Sequence, residues 1–176
     1  LEIEIFIPQH TVLTRIKELA NQISSDYAGT EPILIGILNG AVFFFTDLIK
    51  EMTIPLRIDF IRAASYGRAT SSSGFVKFTK DVELPVQGKH LIIVEDIVDS
   101  GLTLTQIMQV LKKREPASIK LCALIDKLER REKAVHVDYC GFQVSEGFLV
   151  GYGLDYNEQF RYLPDICVLK EQTCLK

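Results

Sequence analysis

Residues 91–104 read LIIVEDIVDSGLTL. Four apolar residues run straight into two adjacent carboxylates, Glu95 and Asp96, and a third acid, Asp99, follows beside Ser100, Gly101 and Thr103. Adjacent acids interrupting an apolar strand carry a desolvation cost, so a capped helix with ordinary surface acids is the weaker explanation. Residues 99–103 read as the turn into a helix, with Ser100 as its expected cap. The first turn of that helix offers N–H groups without partners and the positive end of a dipole. Gly101 lets a ligand approach the backbone closely, and the Ser100 and Thr103 hydroxyls add donors, so the turn suits a phosphate. Carboxylates alone would repel that phosphate. They make sense beside sugar hydroxyls, whose hydrogen bonds they accept, or beside a hard cation such as Mg²⁺. A sugar phosphate with vicinal hydroxyls satisfies both halves of the stretch.

These residues need a frame. Val12, Ile16, Leu19, Ala20, Ile23 and Tyr27 recur at three- and four-residue steps, which predicts an amphipathic helix over 11–27. PILIGIL (32–38) is a short, fully apolar run, as expected of a parallel strand covered on both faces. A second helix is expected over 41–52 and a strand over 56–65. YGRATSSSGF (66–75) is too polar for a core element, and its composition alone reads as a surface excursion rather than a mobile lid. Order returns with a strand at 90–98, a helix at 102–114 and a strand at 118–126. Two more short strands fall in HVDYCGF (136–142) and FLVGYGLD (148–155). This alternation predicts an α/β domain around a largely parallel, twisted sheet. Glu95 and Asp96 then fall at the carboxyl end of a strand, where open sheets gather ligands.

The chain has 176 residues, enough for a single core, and shows no internal repeat or linker. Apolar residues make up 47% and charged residues 24%, a globular balance. Asn39 and Gly40 divide the strongest apolar runs, and neither run reaches the roughly 20 residues of a bilayer span, so no membrane partner is expected. No basic segment precedes a small-residue cleavage site, so no secretory signal is expected. The chain opens on Leu1 rather than Met, so an initiator or short lead segment is expected to be missing. A net charge of −3 gives no footprint for nucleic acid. The basic run KLERREK (127–133) is broken by Glu129 and Glu132 and reads as a solvated face. Cys122, Cys140, Cys167 and Cys174 show no CxxC spacing, which favours free thiols in a cytoplasmic setting. There is no P-loop, and GYGLDY (151–156) lacks the third glycine of a dinucleotide fingerprint.

VEDIVDSGLT (94–103) resembles the phosphoribosyl diphosphate signature of type I phosphoribosyltransferases. FLVGYGLDYNEQFRYLPDICVL (148–169) resembles the 6-oxopurine branch, the hypoxanthine-guanine phosphoribosyltransferases, and the likeness runs from about Pro32 to Leu169. It implies the type I phosphoribosyltransferase fold as one domain over 1–176, with a core at about 30–130 and a small hood from about 1–10 and 134–176. It also implies transfer of the 5-phosphoribosyl group from 5-phosphoribosyl 1-diphosphate to N9 of hypoxanthine or guanine, in purine salvage.

The likeness assigns roles position by position. Glu95 and Asp96 would hold the ribose hydroxyls and the Mg²⁺ shell, and Asp155 would be the ligand of a second metal. Ser100, Gly101, Leu102 and Thr103 would bind the 5-phosphate. Some relatives carry Lys where Leu102 stands, so main-chain N–H groups would do that work here. Asp99 would act as general base near purine N7. Lys127 would donate to the exocyclic O6, Phe148 would stack on the base, and Leu149, Val150 and Asp155 would complete the purine site. Read alone, Lys127 and Arg161 are surface cations and Phe148 is a core aromatic. Asn39, Gly40 and Arg161 would meet the pyrophosphate, with a non-proline cis peptide expected at Leu38–Asn39; Asn39 departs from the Lys often found there. Ser65 and Tyr66 would belong to a flexible catalytic loop, which turns the reading of 66–75 toward a lid. A homodimer or homotetramer is implied by analogy. The rivals are an RNA-binding regulator on the same fold, disfavoured by the charge, and a transferase for adenine, a pyrimidine or orotate, disfavoured by Lys127 and the 148–155 segment.

Overall fold

The computed structural model describes residues 2–64 and 77–170. In chain order the elements are β1 (Glu2–Ile7), α1 (Gln9–Asp26), β2 (Ile33–Ile37), α2 (Val42–Glu51), β3 (Arg57–Ala64), β4 (Lys77–Lys80) and β5 (His90–Val98). α3 (Leu102–Lys112), β6 (Ser118–Lys127), β7 (Tyr139–Val144), β8 (Leu149–Val150) and β9 (Ile166–Lys170) follow. The main sheet runs β4-β3-β2-β5-β6-β7. All its pairings are parallel except β3 with β4 at the edge. β1, β9 and β8 form a separate antiparallel sheet of three strands.

The apolar runs at 33–37, 91–94 and 121–125 are buried on both faces because helices cover both. Strand alternation divides their side chains. Leu34, Ile92, Val94, Cys122 and Leu124 pack with Ile16, Leu19, Phe44, Phe45 and Leu48 of α1 and α2. Ile33, Ile35, Leu91, Ile93, Leu121 and Ala123 pack with Ile107 and Leu111 of α3. Then the alternation slips by one residue in β5 and β6 together: the odd-numbered Ile97 and Ile125 join the even-numbered set. Glu95 and Asp96 stand at that slip, on the middle strand of the sheet.

α1 buries the stripe expected of it, Val12, Ile16, Leu19, Ala20 and Ile23. β1, β4 and β9 were not expected. β1 is exposed at five of its six residues and gains its strand partner, β9, from the far end of the chain. α3 corrects a second expectation: its N-cap is Gly101, in left-handed backbone at φ 78°, rather than Ser100. The Ser100 hydroxyl instead accepts the Leu102 N–H at 3.3 Å. The Leu38–Asn39 peptide is cis, as expected. Residues 65–76, including Ser65, Tyr66 and the serine-rich stretch, lie outside the described residues. No described helix is long and apolar enough to cross a membrane.

One buried acid outside the strand ends anchors the sheet edge. Asp59 on β3 accepts the N–H groups of Phe60, Glu83 and Leu84 at 2.7–2.8 Å and pairs with Lys80. Burial works against its charge, but these donors prevail and hold its carboxyl below the usual range. Asp59→Ala is expected to destabilise the protein by about 2–3 kcal/mol at neutral pH, because buried N–H groups lose their acceptor. A lowered native pKa stabilises above the unfolded value and ceases to do so as pH falls through the native one. The deficit in urea melts should therefore shrink in acid; a deficit independent of pH would discount the carboxylate.

Candidate active site

The carboxyl ends of β2, β5 and β6 form a ledge on which three loops meet. Each acid of the pair on β5 turns back on the main chain: Glu95 accepts the Asp96 N–H at 3.1 Å, and Asp96 the Ile97 N–H at 2.9 Å. Burial, followed by the neighbouring Asp96 carboxylate, pushes the Glu95 carboxyl well above the usual range. That is the direction expected when two acids share a desolvated position.

The loop after β2 touches this pair directly. A Cβ on Gly40 would lie 1.9 Å from Asp96 Oδ2, and a Cβ on Gly153 would lie 2.1 Å from the Gly40 carbonyl oxygen. Gly153 also sits at φ +99°, where a side chain is strained. Asp96, Gly40 and Gly153 are thus stacked with no room for side chains. Arg161 fastens the outer layer: it donates to the Gly153 carbonyl at 2.7 Å and pairs with Asp155 at 2.9 Å. Asp155 accepts the Glu158 N–H with its other oxygen, at 2.9 Å.

Two small cavities open on the ledge. One, of about 170 Å³, is lined by Glu95, Asp99, Ser100, Gly101, Thr103 and Leu104, with Ile97 and Val98 beneath. The other, of about 160 Å³, is lined by Asp96, Asp99, Lys127, Arg130, Phe148, Leu149, Leu154 and Asp155. They share Asp99 and Ile97. Asp99 Oδ1 is buried and has no hydrogen-bond partner among the described residues, which is unusual enough for a buried carboxylate to need an explanation. The Lys127 ammonium is 3.0 Å from Glu129, and this ion pair lowers the Glu129 carboxyl. Phe148 is 41% exposed and meets Tyr156 edge-on, with ring centroids 5.5 Å apart.

The structure therefore gathers Asp96, Asp99, Lys127, Phe148, Leu149 and Asp155 around one cavity, and Glu95, Asp99, Ser100, Gly101 and Thr103 around the other. Gly40 and Arg161 both contact Gly153 and line neither cavity. Val150 does not line either cavity; its side chain is buried with Cys167 and Leu169. The Leu102 side chain is exposed and lines neither. No group of three or more His, Cys, Asp or Glu side chains suited to a metal forms among the described residues, so Glu95, Asp96 and Asp155 are not one ligand cluster. Mg²⁺ still fits, since it is commonly held by one or two carboxylates together with substrate oxygens and water. A more voluminous groove of about 660 Å³ runs between α3 and residues 134–138. Most of its wall is apolar, and it lacks the convergent acids and N–H groups found on the ledge.

Sequence reading missed Gly153, Arg130 and Leu154 here. GYGLD reads as a strand end, a weak dinucleotide match and part of the family likeness, and nothing in its spacing shows a carbonyl packed against the second glycine. Gly153→Ala should destabilise the chain by about 2–4 kcal/mol in urea melts, from overpacking together with backbone strain. An unchanged melt would mean the Gly40 loop is not braced by this contact.

Known proteins supply an independent view. The family described as "Phosphoribosyl transferase domain" matches residues 5–157. A hypoxanthine phosphoribosyltransferase of Salmonella typhimurium is 43% identical, covering 92% of both chains. A hypoxanthine-guanine phosphoribosyltransferase of Bacillus subtilis is also 43% identical, over 95% of this chain and 93% of the relative. A crystal structure of a hypoxanthine-guanine phosphoribosyltransferase from Bacillus anthracis superposes with a TM-score of 0.91 at 41% identity, covering 96% of this chain and 100% of that one.

Proposed function

The chain belongs to the phosphoribosyltransferase family, in its hypoxanthine and hypoxanthine-guanine branch, and from that premise we propose how its residues divide the reaction. The activity is purine salvage: the 5-phosphoribosyl group passes from 5-phosphoribosyl 1-diphosphate to N9 of hypoxanthine or guanine, giving IMP or GMP and pyrophosphate. The C1–O bond to pyrophosphate breaks, the C1–N9 bond forms, and the purine gives up one proton from N7. Positive charge builds on the ribose ring as negative charge collects on the leaving group.

One observation carries the residue assignment: the two cavities on the ledge meet at Asp99. The cavity beside 99–104 takes the 5-phosphate through main-chain N–H groups at the start of α3. The cavity beside Lys127 and Phe148 takes the base. Asp99 accepts the N7 proton; its buried, unpartnered Oδ1 supports that role. Lys127 donates to O6, which a 6-amino purine could not accept, and Phe148 stacks on the ring. The main chain at Leu149 and Val150 meets the remaining edge of the base. Glu95 and Asp96 hold the ribose hydroxyls. Asn39, Gly40 and Arg161 receive the pyrophosphate, and the guanidinium offsets its charge.

Mg²⁺ completes the donor site. Glu95 and Asp96 would hold one ion together with ribose hydroxyls and water, Asp155 would bind a second, and such ions would neutralise phosphate charge. A cation beside the two acids would offset both the burial and the mutual repulsion that push the Glu95 carboxyl up. The three-stranded sheet serves as the hood over the base, within a single domain spanning 1–176. Ser65 and Tyr66 belong to the proposed lid. A homodimer or homotetramer is the proposed assembly; exposed Val42 and Phe43, directly after the Gly40 loop, supply apolar surface for it. A cytosolic setting is supported by free thiols at Cys122, Cys140 and Cys167, all of them buried or half-buried.

Incubating the purified chain with hypoxanthine, phosphoribosyl diphosphate and Mg²⁺ should yield IMP and pyrophosphate; no product from hypoxanthine or guanine would refute the activity. Asp99→Asn is expected to lower kcat about 100-fold or more, with little change in the KM of the donor. Wild-type turnover in that variant would remove the general base. Lys127→Ala should raise the KM for hypoxanthine about 10–100-fold, the worth of one charged hydrogen bond. If its KM is unchanged, O6 is recognised by another group.

A further inference from the structure

The charged run 127–133 was expected to be a solvated face, and Arg131 departs from that expectation. Its side chain is only 15% exposed. Nε donates to the Asp99 carbonyl at 2.9 Å, while Nη2 donates to the Val98 and Lys127 carbonyls, both at 3.0 Å, and pairs with the buried Asp126 carboxylate. The next two residues extend the grip. The Glu132 and Lys133 N–H groups both donate to the Ser100 carbonyl at 3.0 Å. Three successive carbonyls, at 98, 99 and 100, are thus bound from one side by residues 131–133.

That grip has a geometric consequence. In a trans peptide the carbonyl of one residue and the N–H of the next point in opposite directions. Drawing the carbonyls of 98, 99 and 100 toward residues 131–133 therefore turns the N–H groups of Asp99, Ser100 and Gly101 away from them. Gly101 has to be glycine at this contact, since a Cβ would lie 2.9 Å from the Lys133 carbonyl oxygen. The same guanidinium holds the carbonyl of Lys127, whose ammonium lines the neighbouring cavity.

We propose that Arg131 is a positioning residue that sets the phosphate-binding turn and the purine-recognising lysine in one fixed register, through the carbonyls of Val98, Asp99 and Lys127. The inference rests on the phosphoribosyl-transfer reading of the two cavities and adds a residue that touches neither substrate. A guanidinium suits the task because its planar fork carries five N–H donors and a permanent charge, here balanced by Asp126. The three donors of a lysine ammonium all radiate from one nitrogen, so they do not reproduce the spread of Nε and Nη2 over these carbonyls.

The test compares wild type, Arg131→Lys and Arg131→Ala, measuring kcat, both KM values and thermal melts. In Arg131→Ala the KM values for phosphoribosyl diphosphate and for hypoxanthine should rise together, each about tenfold or more, because small misplacements at a reacting centre are costly. Arg131→Lys should fall short of wild type in both, and added guanidinium ion should partly restore Arg131→Ala. A purely structural residue would lower kcat with the folded fraction and leave both KM values alone. If both KM values in a folded variant stay within about twofold of wild type, well below the loss expected from misplacement, the clamp is refuted. Should Arg131→Ala not fold, Arg131→Lys decides by the same criterion. If wild type itself forms no IMP, the activity reading fails; if wild type is active and the KM values do not move, only the clamp fails.

Discussion

Main chain has to come within contact distance of a carboxylate at the carboxyl end of β5, and the rest of the site is arranged around that approach. Asp96 presses on Gly40, and Gly40 on Gly153, at separations that no Cβ could tolerate. The stack brings three loops from distant parts of the sequence into one ledge. Arg161 reaches Asp155 and the Gly153 carbonyl from the same side, so the outer acid and the outer cation are fixed by the layer that the glycines permit. Bulk at any level would push the loop after β2 away from the acids it is proposed to serve.

Electrostatics adds a second demand to this packing. A turn suited to an anion beside two desolvated acids is self-defeating unless something positive lies between them. Burial and then the neighbouring Asp96 already push the Glu95 carboxyl up. N–H groups at the start of α3 supply partial positive charge on one side, and Lys127, Arg130 and Arg161 supply full charges on the other. A ligand carrying both phosphates and hydroxyls, with Mg²⁺, matches this division better than a bare phosphate would.

Much of this was legible in the sequence because it is written in local patterns. Buried parallel strands show as unbroken apolar runs, and α1 shows as a stripe at helical spacing. The acid pair shows because an apolar strand ends on it. The assignments to Lys127, Phe148 and Arg161 came only from the family likeness, since each alone looks ordinary. Contacts made by main chain across long separations stayed hidden. β1 could not be read because its side chains are mostly exposed and its partner, β9, lies at the other end of the chain. Gly153 shows a glycine but not the carbonyl that demands it. Arg131 sat in a run whose composition is that of a solvated face; what buries it is a set of carbonyls, and carbonyls leave no mark on sequence.

The clamp also bears on how the two halves of the site can vary. The Asp99 and Lys127 carbonyls hang on one guanidinium, which ties the turn proposed for the phosphate to the strand that carries Lys127. The slip in side-chain alternation occurs at the same level in β5 and β6, which keeps the two strand ends in step just before they reach Arg131. On the proposed assignments, the base and donor halves of the site share this one support. A change within 131–133 bears on both, because those residues hold the turn by its carbonyls.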